Sequence, residues 1–169
     1  MLHKRLIYLA ITAAIAIILA SSAMAATAVG DKAPNFKLDS LSGSNTVKLS
    51  DFSGKPTVVV FWASWCPHCQ RELPVLQKVY KDLKPGANFV GLSVDQDIKD
   101  ARSLVKDKGI TFPNAYCGTS SGEKVMNTYG ISGIPAIYVL DKNGTVKARH
   151  LGETKESTIR SDLADLGVK

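Results

Sequence analysis

Uninterrupted runs of β-branched and aromatic residues mark the candidate strands of this chain. Residues 57–62, Thr-Val-Val-Val-Phe-Trp, form such a run, and residues 88–94 and 136–140, which are mostly apolar, are predicted as two more strands. Runs of this kind are typical of strands that are buried on both faces of a sheet. Two shorter candidates, residues 36–38 and 47–49, are joined by a turn rich in Ser, Gly and Asn, which predicts a hairpin.

Four other segments carry apolar residues at helical spacing. The longest begins at Cys66 and runs to about residue 83, with Pro67 in a first-turn position where its missing N–H costs nothing. Pro74 lies inside this segment and predicts a kink. The remaining predicted helices cover residues 97–108, 123–129 and 157–166.

The order of these elements predicts one α/β domain over residues 26–169. After the third buried strand, a turn at residues 141–144 leads into a returning strand at 145–149, and the last helix follows. Buried strands that alternate with helices favour a central mixed sheet covered on both faces. The returning strand would supply an antiparallel edge, so the predicted fold is an α/β/α sandwich.

The first 25 residues form a separate segment. A basic start precedes an apolar stretch over residues 6–20, and the small residues Ala23 and Ala25 follow it. This pattern predicts a secretory signal peptide cleaved after Ala25. A retained membrane anchor is the alternative, because residues 6–29 carry no charge. With either outcome the rest of the chain is expected outside the cytoplasm, for example in a periplasm, as a soluble or a tethered domain.

Charge and cysteine content narrow the classes of function. Removal of the first 25 residues leaves 19 basic against 15 acidic residues, and these charges are interspersed. The sequence therefore has no basic patch that would favour a nucleic-acid partner. The three cysteines are Cys66, Cys69 and Cys117, and an exported chain can keep a disulfide between two of them.

Cys66 and Cys69 form a Cys-x-x-Cys motif at the start of the longest predicted helix. Thiol–disulfide exchange needs one thiolate that attacks and a second thiol that resolves the mixed disulfide. The free N–H groups and the positive end of the helix dipole stabilise a thiolate at a helix N-terminus. We therefore expect Cys66 to attack, with a lowered pKa, and Cys69 to resolve.

The two residues between the cysteines bias this chemistry. Pro67 tightens the turn, and His68 adds a hydrogen-bond donor, positive when protonated, close to the sulfur of Cys66. Both favour the thiolate and hence the reduced form, which makes the pair a better oxidant. Half of a zinc site is the alternative for such a motif. Cys117, His68, His150 or an acid could supply further ligands, but the sequence contains no second Cys-x-x-Cys, so we predict no metal site. We also predict no cofactor.

Several stretches of the chain resemble one known family. Residues 61–69, Phe-Trp-Ala-Ser-Trp-Cys-Pro-His-Cys, resemble the active-site segment of thioredoxin, and residues 133–141 resemble its cis-proline strand. The lead-in stretches 30–36 and 49–55 are similar to those of the membrane-associated TlpA/ResA-like thiol-disulfide oxidoreductases. The resemblance covers residues 29–166 and implies a thioredoxin-like sandwich with an N-terminal β-hairpin extension.

The resemblance also implies roles for individual residues. Cys66 would be the nucleophile and Cys69 the resolving cysteine, and the two would form the redox-active disulfide. Pro135 would be cis and would pack beside Cys66, while the backbone of Ile134 would pair with an extended substrate segment. The docking surface around the reactive sulfur would be completed by its neighbours Trp65, Pro67 and His68.

Glu72 follows Cys69 by one helical turn and therefore lies on the same face of the predicted helix. The resemblance supports a role, because TlpA/ResA-like reductases carry a glutamate here. A buried Glu72 would have a raised pKa and could exchange a proton with Cys69. The alternative is a solvated glutamate paired with a lysine. Thioredoxin has a buried acid where this chain has Val60, which would leave Glu72 as the acid of the site.

Three further residues receive simpler predictions. Cys117 lies in a predicted loop and is expected to be an unpaired thiol without a catalytic role, with intermolecular pairing or redox regulation as the alternative. Trp62 is expected in the core. His150 is expected at the surface, without a role.

The function expected from the resemblance is disulfide exchange with exported, cysteine-containing proteins. A reductase would keep selected cysteines reduced, such as those of apocytochrome c, and would need a membrane electron-transfer protein as its donor. The lead-in, Glu72 and the candidate anchor favour this direction. A disulfide oxidant or isomerase is the alternative, favoured by the Pro-His dipeptide that DsbA-like oxidants share. Against it, the large helical insertion of those oxidants is missing here.

A peroxiredoxin-like peroxidase is the weakest alternative. Its peroxidatic cysteine is preceded by a Thr or Ser and by a Pro, at positions that hold Cys66 and Trp62 when Cys69 is taken as that cysteine.

Overall fold

A mixed sheet lies at the centre of the structure, a computed structural model that describes residues 26–43 and 45–169. Within these residues the strands are β1 (Lys37–Ser40), β2 (Thr46–Lys48), β3 (Thr57–Trp62), β4 (Asn88–Ser93), β5 (Asn114–Tyr116), β6 (Ala136–Leu140) and β7 (Val146–Leu151). They lie in the order β2-β1-β5-β4-β3-β6-β7. β4 pairs in parallel with β3 and β5, and the other pairings are antiparallel.

Helices cover both faces of this sheet. They are α1 (Pro67–Leu83), α2 (Ile98–Asp107), α3 (Ser120–Tyr129) and α4 (Glu156–Asp165), and a short 3-10 helix spans Leu49–Phe52. None of the helices in the described ranges is both long and apolar enough to span a membrane. The predicted signal or anchor segment, residues 1–25, lies outside the described residues.

The side chains of β3 divide the core into two layers, because successive residues of a strand point to opposite faces. Val58, Val60 and Trp62 pack with residues of α1, α2 and α4. Val59 and Phe61 pack with residues of α3 and of the N-terminal hairpin. Each of the five is at most 1% exposed. The predicted α/β/α sandwich, with its mixed sheet and hairpin extension, is therefore confirmed.

β5 is the element that the sequence analysis missed. It has three residues and follows Pro113, so it offers no alternation or long apolar run that would mark a strand. All three residues are buried, and the strand joins β1 to β4. The hairpin is therefore attached to the main sheet through β5.

Several predicted boundaries differ from the structure by a few residues, and two of the differences have a local explanation. The helix predicted over residues 123–129 begins at Ser120, because the hydroxyl of Thr119 accepts a hydrogen bond from the Gly122 N–H and caps the helix. The strand predicted over residues 47–49 ends at Lys48, where the 3-10 helix begins. α1 continues through Pro74.

Candidate active site

The antiparallel pairing of β3 with β6 brings the Cys-x-x-Cys motif beside Pro135. Phe61, near the end of β3, pairs with Ala136, the first residue of β6. The chain leaves β3 toward Cys66 and enters β6 through Pro135, so both lie at the same end of the sheet. The Ile134–Pro135 peptide bond is cis, the isomer that the resemblance implied.

Cys66 and Cys69 are joined by a disulfide at the N-terminus of α1. Cys66 is the N-cap residue, and its Sγ accepts a hydrogen bond of 3.1 Å from the backbone N–H of Cys69. The same Sγ lies 3.8 Å from the carbonyl oxygen of Ile134. Cys66 keeps 4% of its surface exposed and Cys69 none, so only the sulfur of Cys66 is within reach of a partner.

Two exposed apolar side chains belong to segments that lie next to the motif or to Pro135. Trp65 precedes Cys66 and is 65% exposed. Leu151, at the end of β7, is 59% exposed, pairs with Ala136 and approaches Gly133. Sequence reasoning missed Leu151, since only the pairing of β6 with β7 places it near the motif. Of the other predicted docking residues, Pro67 and His68 are exposed and Ile134 is half-buried.

Glu72 is buried on the inner face of α1, with 2% of its surface exposed. Its Oε2 accepts a hydrogen bond of 2.8 Å from the Thr154 N–H, and Oε1 has no partner among the described residues. Burial raises the pKa of this carboxyl, a shift that the Thr154 hydrogen bond opposes. Nearby Glu153 raises the pKa of Glu72 further, and His150 lowers it. The alternative of a solvated glutamate paired with a lysine is wrong.

An exposed cluster of charged side chains lies beside the dipeptide between the cysteines. The Nδ1 atom of His68 is 2.6 Å from Oε2 of Glu153. Arg71 donates from Nε to Oε1 and from Nη2 to Oε2 of the same carboxylate, at 2.9 and 2.8 Å. Hydrogen bonds from Arg71 and His68 lower the pKa of Glu153 to about 2. Glu153 follows β7 in a loop, and no local sequence signal links it to the motif.

A second buried acid supports the segment that leads into Cys66. Asp95 is 1% exposed and accepts hydrogen bonds from the Ser64 N–H and, at 2.6 Å, from the Ser64 hydroxyl. The Ser93 hydroxyl donates to it as well, at 2.7 Å. The expectation that Glu72 is the acid of this region is therefore incomplete. The signal that could have revealed Asp95 is its position directly after a buried strand whose end lies beside that of β3.

The remaining predicted residues fall outside the site. Trp62 is fully buried, as predicted, and donates from Nε1 to Oδ1 of Asn114. Cys117 is unpaired and 1% exposed, and burial raises the pKa of its thiol to about 12, which leaves redox regulation without a reactive thiolate. His150 is not simply a surface residue, because it is half-buried with Nε2 2.6 Å from Asp162.

The described part of the chain offers no cluster for a metal ion. Within it, no group of three or more His, Cys, Asp or Glu side chains is arranged to hold one. The chemistry available at the motif is that of the two sulfurs, the buried carboxyl of Glu72 and the polar groups around them.

Comparison with known proteins places this geometry in a family. Residues 28–166 match the Redoxin family model. The chain is 33% identical over 130 residues to "Thiol-disulfide oxidoreductase ResA" of Bacillus anthracis, a match over 76% of this chain and 73% of that protein. It is 31% identical over 142 residues to the protein of the same name from Geobacillus thermodenitrificans, over 83% of this chain and 79% of that protein.

Solved structures agree with these relatives. A thiol:disulfide interchange protein of the thioredoxin family from Chlorobium tepidum superposes with a TM-score of 0.72 at 28% identity, covering 83% of this chain and 99% of that one. A secreted disulfide oxidoreductase of Mycobacterium tuberculosis superposes with a TM-score of 0.66 at 25% identity, covering 78% and 96%. The chain therefore belongs to the redoxin family, among the ResA-like thiol-disulfide oxidoreductases with a thioredoxin-like fold, and its chemistry is thiol–disulfide exchange.

Proposed function

We propose that this protein is an extracytoplasmic reductase that donates electrons to disulfides of exported proteins. The observation that carries the proposal is the buried carboxyl of Glu72, one helical turn from Cys69, with Oε1 free of any partner among the described residues. A reductase must deprotonate its resolving thiol in a dry site, and we assign that role to this carboxyl.

The first half of the reaction belongs to Cys66. Its thiolate attacks one sulfur of the substrate disulfide, a mixed disulfide forms, and the other substrate sulfur leaves as a thiolate that takes a proton from water. The N–H groups at the start of α1 stabilise the attacking thiolate, as the hydrogen bond from Cys69 N–H to Cys66 Sγ illustrates.

The second half belongs to Cys69 and Glu72. Cys69 has no exposed surface, so water cannot remove its proton. Glu72 takes that proton, and the Cys69 thiolate attacks the Cys66 sulfur of the mixed disulfide. The Cys66–Cys69 bond forms, the bond between Cys66 and the substrate breaks, and the second substrate sulfur leaves as a thiolate that takes a proton from water. Burial raises the pKa of Glu72 toward that of a thiol, which reduces the mismatch between donor and acceptor in this transfer.

Substrate docking would use the apolar surface around Cys66. The exposed side chains of Trp65 and Leu151 would contact residues on either side of the substrate cysteine. The backbone of Ile134 would pair with the substrate segment as an added strand. Pro135 would keep this backbone beside the sulfur, while Pro67 and His68 would border the surface.

Substrates and electron donor follow from this location and direction. Exported proteins whose cysteines must stay reduced, such as apocytochrome c, are the proposed substrates. Each turnover leaves the protein oxidised, so a membrane electron-transfer protein would return two electrons to the Cys66–Cys69 disulfide. Residues 1–25 would deliver the chain to this compartment, either as a signal cleaved after Ala25 or as an anchor. The secreted relative from Mycobacterium tuberculosis supports this location.

An oxidant that installs disulfides is the second candidate. The donor groups near the N-terminus of α1, the ring of His68 and the guanidinium of Arg71, favour it because donors near the Cys66 thiolate stabilise the reduced form. Against it, the described chain between α1 and Pro135 contains only β4, α2, β5 and α3, and each of these two helices has ten residues. No large helical insertion is present in this span.

The reduction potential of the Cys66–Cys69 pair distinguishes the two directions. We would equilibrate the full-length protein, solubilised in detergent, against glutathione buffers at pH 7 and measure the fraction of disulfide. A potential at or below about −250 mV, on the thioredoxin side of the scale, is expected of the reductase. A potential near about −120 mV would contradict the proposal and indicate a disulfide donor.

A further inference from the structure

The loop that follows β7 contacts the site at two points through its backbone. The N–H of Gly152 donates to the carbonyl oxygen of Pro135 at 2.8 Å. The N–H of Thr154, two residues on, donates to the buried Oε2 of Glu72 at 2.8 Å. The backbone of residue 153 is therefore held between two hydrogen bonds to groups of the site, which fixes the position from which its side chain extends.

That side chain is Glu153, and on the exposed surface it binds His68, which lies between the two cysteines, and Arg71. Its Oε2 lies 2.6 Å from Nδ1 of His68, and Arg71 binds both of its oxygens. Arg71 Nη2 also lies 2.9 Å from the same Nδ1. A ring nitrogen cannot donate and accept at once. Because Nδ1–H donates to Glu153, Nδ1 does not accept from Arg71, and Arg71 donates only to the Glu153 carboxylate.

We infer that Glu153 is a positioning residue that holds His68 by its ring N–H and keeps the Cys66–Cys69 pair more reducing than its Pro-His dipeptide alone would make it. A positive or donating group beside Cys66 stabilises the thiolate and hence the reduced form. Glu153 occupies that donor and places a negative charge next to it. Among the described residues, no hydrogen bond joins His68 to Cys66 Sγ, which is bonded instead to Cys69 N–H.

The inference deepens the proposed function and rests on exchange at Cys66 and Cys69. The equilibrium is a balanced one: two glutathione thiols reduce the protein disulfide to two thiols and become one glutathione disulfide. Loss of the Glu153 charge would leave Arg71 and His68 as uncompensated donors near the thiolate. The reduced form of the protein would then become more stable relative to the disulfide form, and the pair would become more oxidising.

The test compares variants of the full-length protein, in detergent, against glutathione buffers at pH 7. Glu153→Gln keeps the size of the side chain and removes its charge. We expect it to shift the equilibrium constant toward the reduced protein about two- to fivefold, the range of an exposed ion pair. This corresponds to about 10–20 mV for a two-electron couple. The rate of Cys66 alkylation at pH 7 in the reduced protein should rise in parallel.

Glu156→Gln is the matched control. Glu156 also bridges to α1, through Lys78, and also binds an arginine, Arg160, but it lies away from the motif. We expect this variant to leave the equilibrium constant unchanged. An equal shift in both variants would overturn the inference, because the effect would then be one of general surface charge.

His68→Ala shows whether the effect passes through the ring. In the wild-type background it should change the constant less than about twofold. In the Glu153→Gln background it should have a larger effect and reverse the part of the two- to fivefold shift that passes through the ring. Equal effects in the two backgrounds, or no shift in Glu153→Gln, would overturn the inference. If Glu153→Gln does not fold, Glu153→Ala, which also removes the charge, takes its place. A strongly oxidising wild-type protein would overturn the reductase proposal and leave the comparison between variants intact.

Discussion

A carboxyl group that loses its water on burial keeps its proton to higher pH, and Glu72 is in that position. One of its oxygens is bound by the Thr154 N–H, and the other has no partner among the described residues. A buried acceptor without a partner costs free energy, and such groups are retained where they have a role. At the scale of single residues, Glu72 is therefore the group whose replacement separates the two halves of the reaction.

Glu72→Gln should slow the resolving step and spare the attack by Cys66. Glutamine can still accept the Thr154 hydrogen bond but cannot take a proton from Cys69. We expect decay of the mixed disulfide to slow at least about 100-fold, the lower range for a general base. Rapid-quench measurement of the mixed disulfide tests this, with Glu123→Gln, on the exposed side of α3, as the control. Decay at the wild-type rate would exclude Glu72 as the base.

The same substitution should change how stability depends on pH. The pKa of Glu72 is raised by burial above its ordinary value of 4.5, so above that pH the folded protein binds more protons than the unfolded chain. The contribution of Glu72 to the free energy of unfolding is therefore complete below pH 4.5 and is lost as pH rises through the folded pKa. Relative to wild type, Glu72→Gln should gain stability as pH rises from 4.5, measured by urea unfolding. A difference that does not vary with pH would contradict a raised pKa.

At the scale of elements, close contact between strands is concentrated at Gly91. A Cβ atom at this position of β4 would collide with the side chain of Asn114 and approach Nε1 of Trp62, which are hydrogen-bonded to each other at 3.0 Å. We expect Gly91→Ala to lower the free energy of unfolding by about 1–3 kcal/mol, as overpacking does. Urea unfolding measures it. Gly43→Ala, where a Cβ would meet nothing within 4 Å, should stay within about 0.5 kcal/mol.

The elements differ in how well the sequence could predict them. β3 was predictable because its six residues form an uninterrupted apolar run, and α1 because its apolar residues recur at helical spacing after a first-turn proline. β5 was not, because three residues after a proline have no measurable period. Its place in the sheet depends on pairing with β1 and β4, which are distant in the chain.

The residues of the site also differ in how well the sequence could predict them. Cys66, Cys69 and Glu72 lie within seven residues of one helix, so local spacing was sufficient to group them. Asp95 and Glu153 reach the same region from loops 31 and 85 residues away from their partners Ser64 and His68. Only the topology brings them together. The sequence offers a hint for Asp95, its position after a buried strand, and none for Glu153.

At the scale of the whole molecule, the exposed apolar side chains are unevenly placed. Trp65 precedes Cys66 and Leu151 lies beside the strand that follows Pro135, whereas Val29, as exposed as Leu151 at 59%, lies in the lead-in. We expect Leu151→Ala to lower kcat/KM for a protein disulfide about three- to tenfold, through loss of one apolar contact of about 1 kcal/mol. Reduction of a small disulfide by the same variant should be unchanged.

Val29→Ala is the control for that experiment, since it removes a side chain of similar exposure. It should leave kcat/KM unchanged for both substrates. If Leu151→Ala matched wild type on the protein disulfide, docking would not extend across the end of β7.

The difference in exposure between the two cysteines has a practical consequence. Cys66 keeps 4% of its surface and Cys69 none, so a partner can become attached only at Cys66. Cys69→Ser would keep the sulfur that begins an encounter and remove the one that ends it. In living cells that variant would stay covalently attached to the proteins it meets, and mass spectrometry of the trapped complexes would name its natural partners directly.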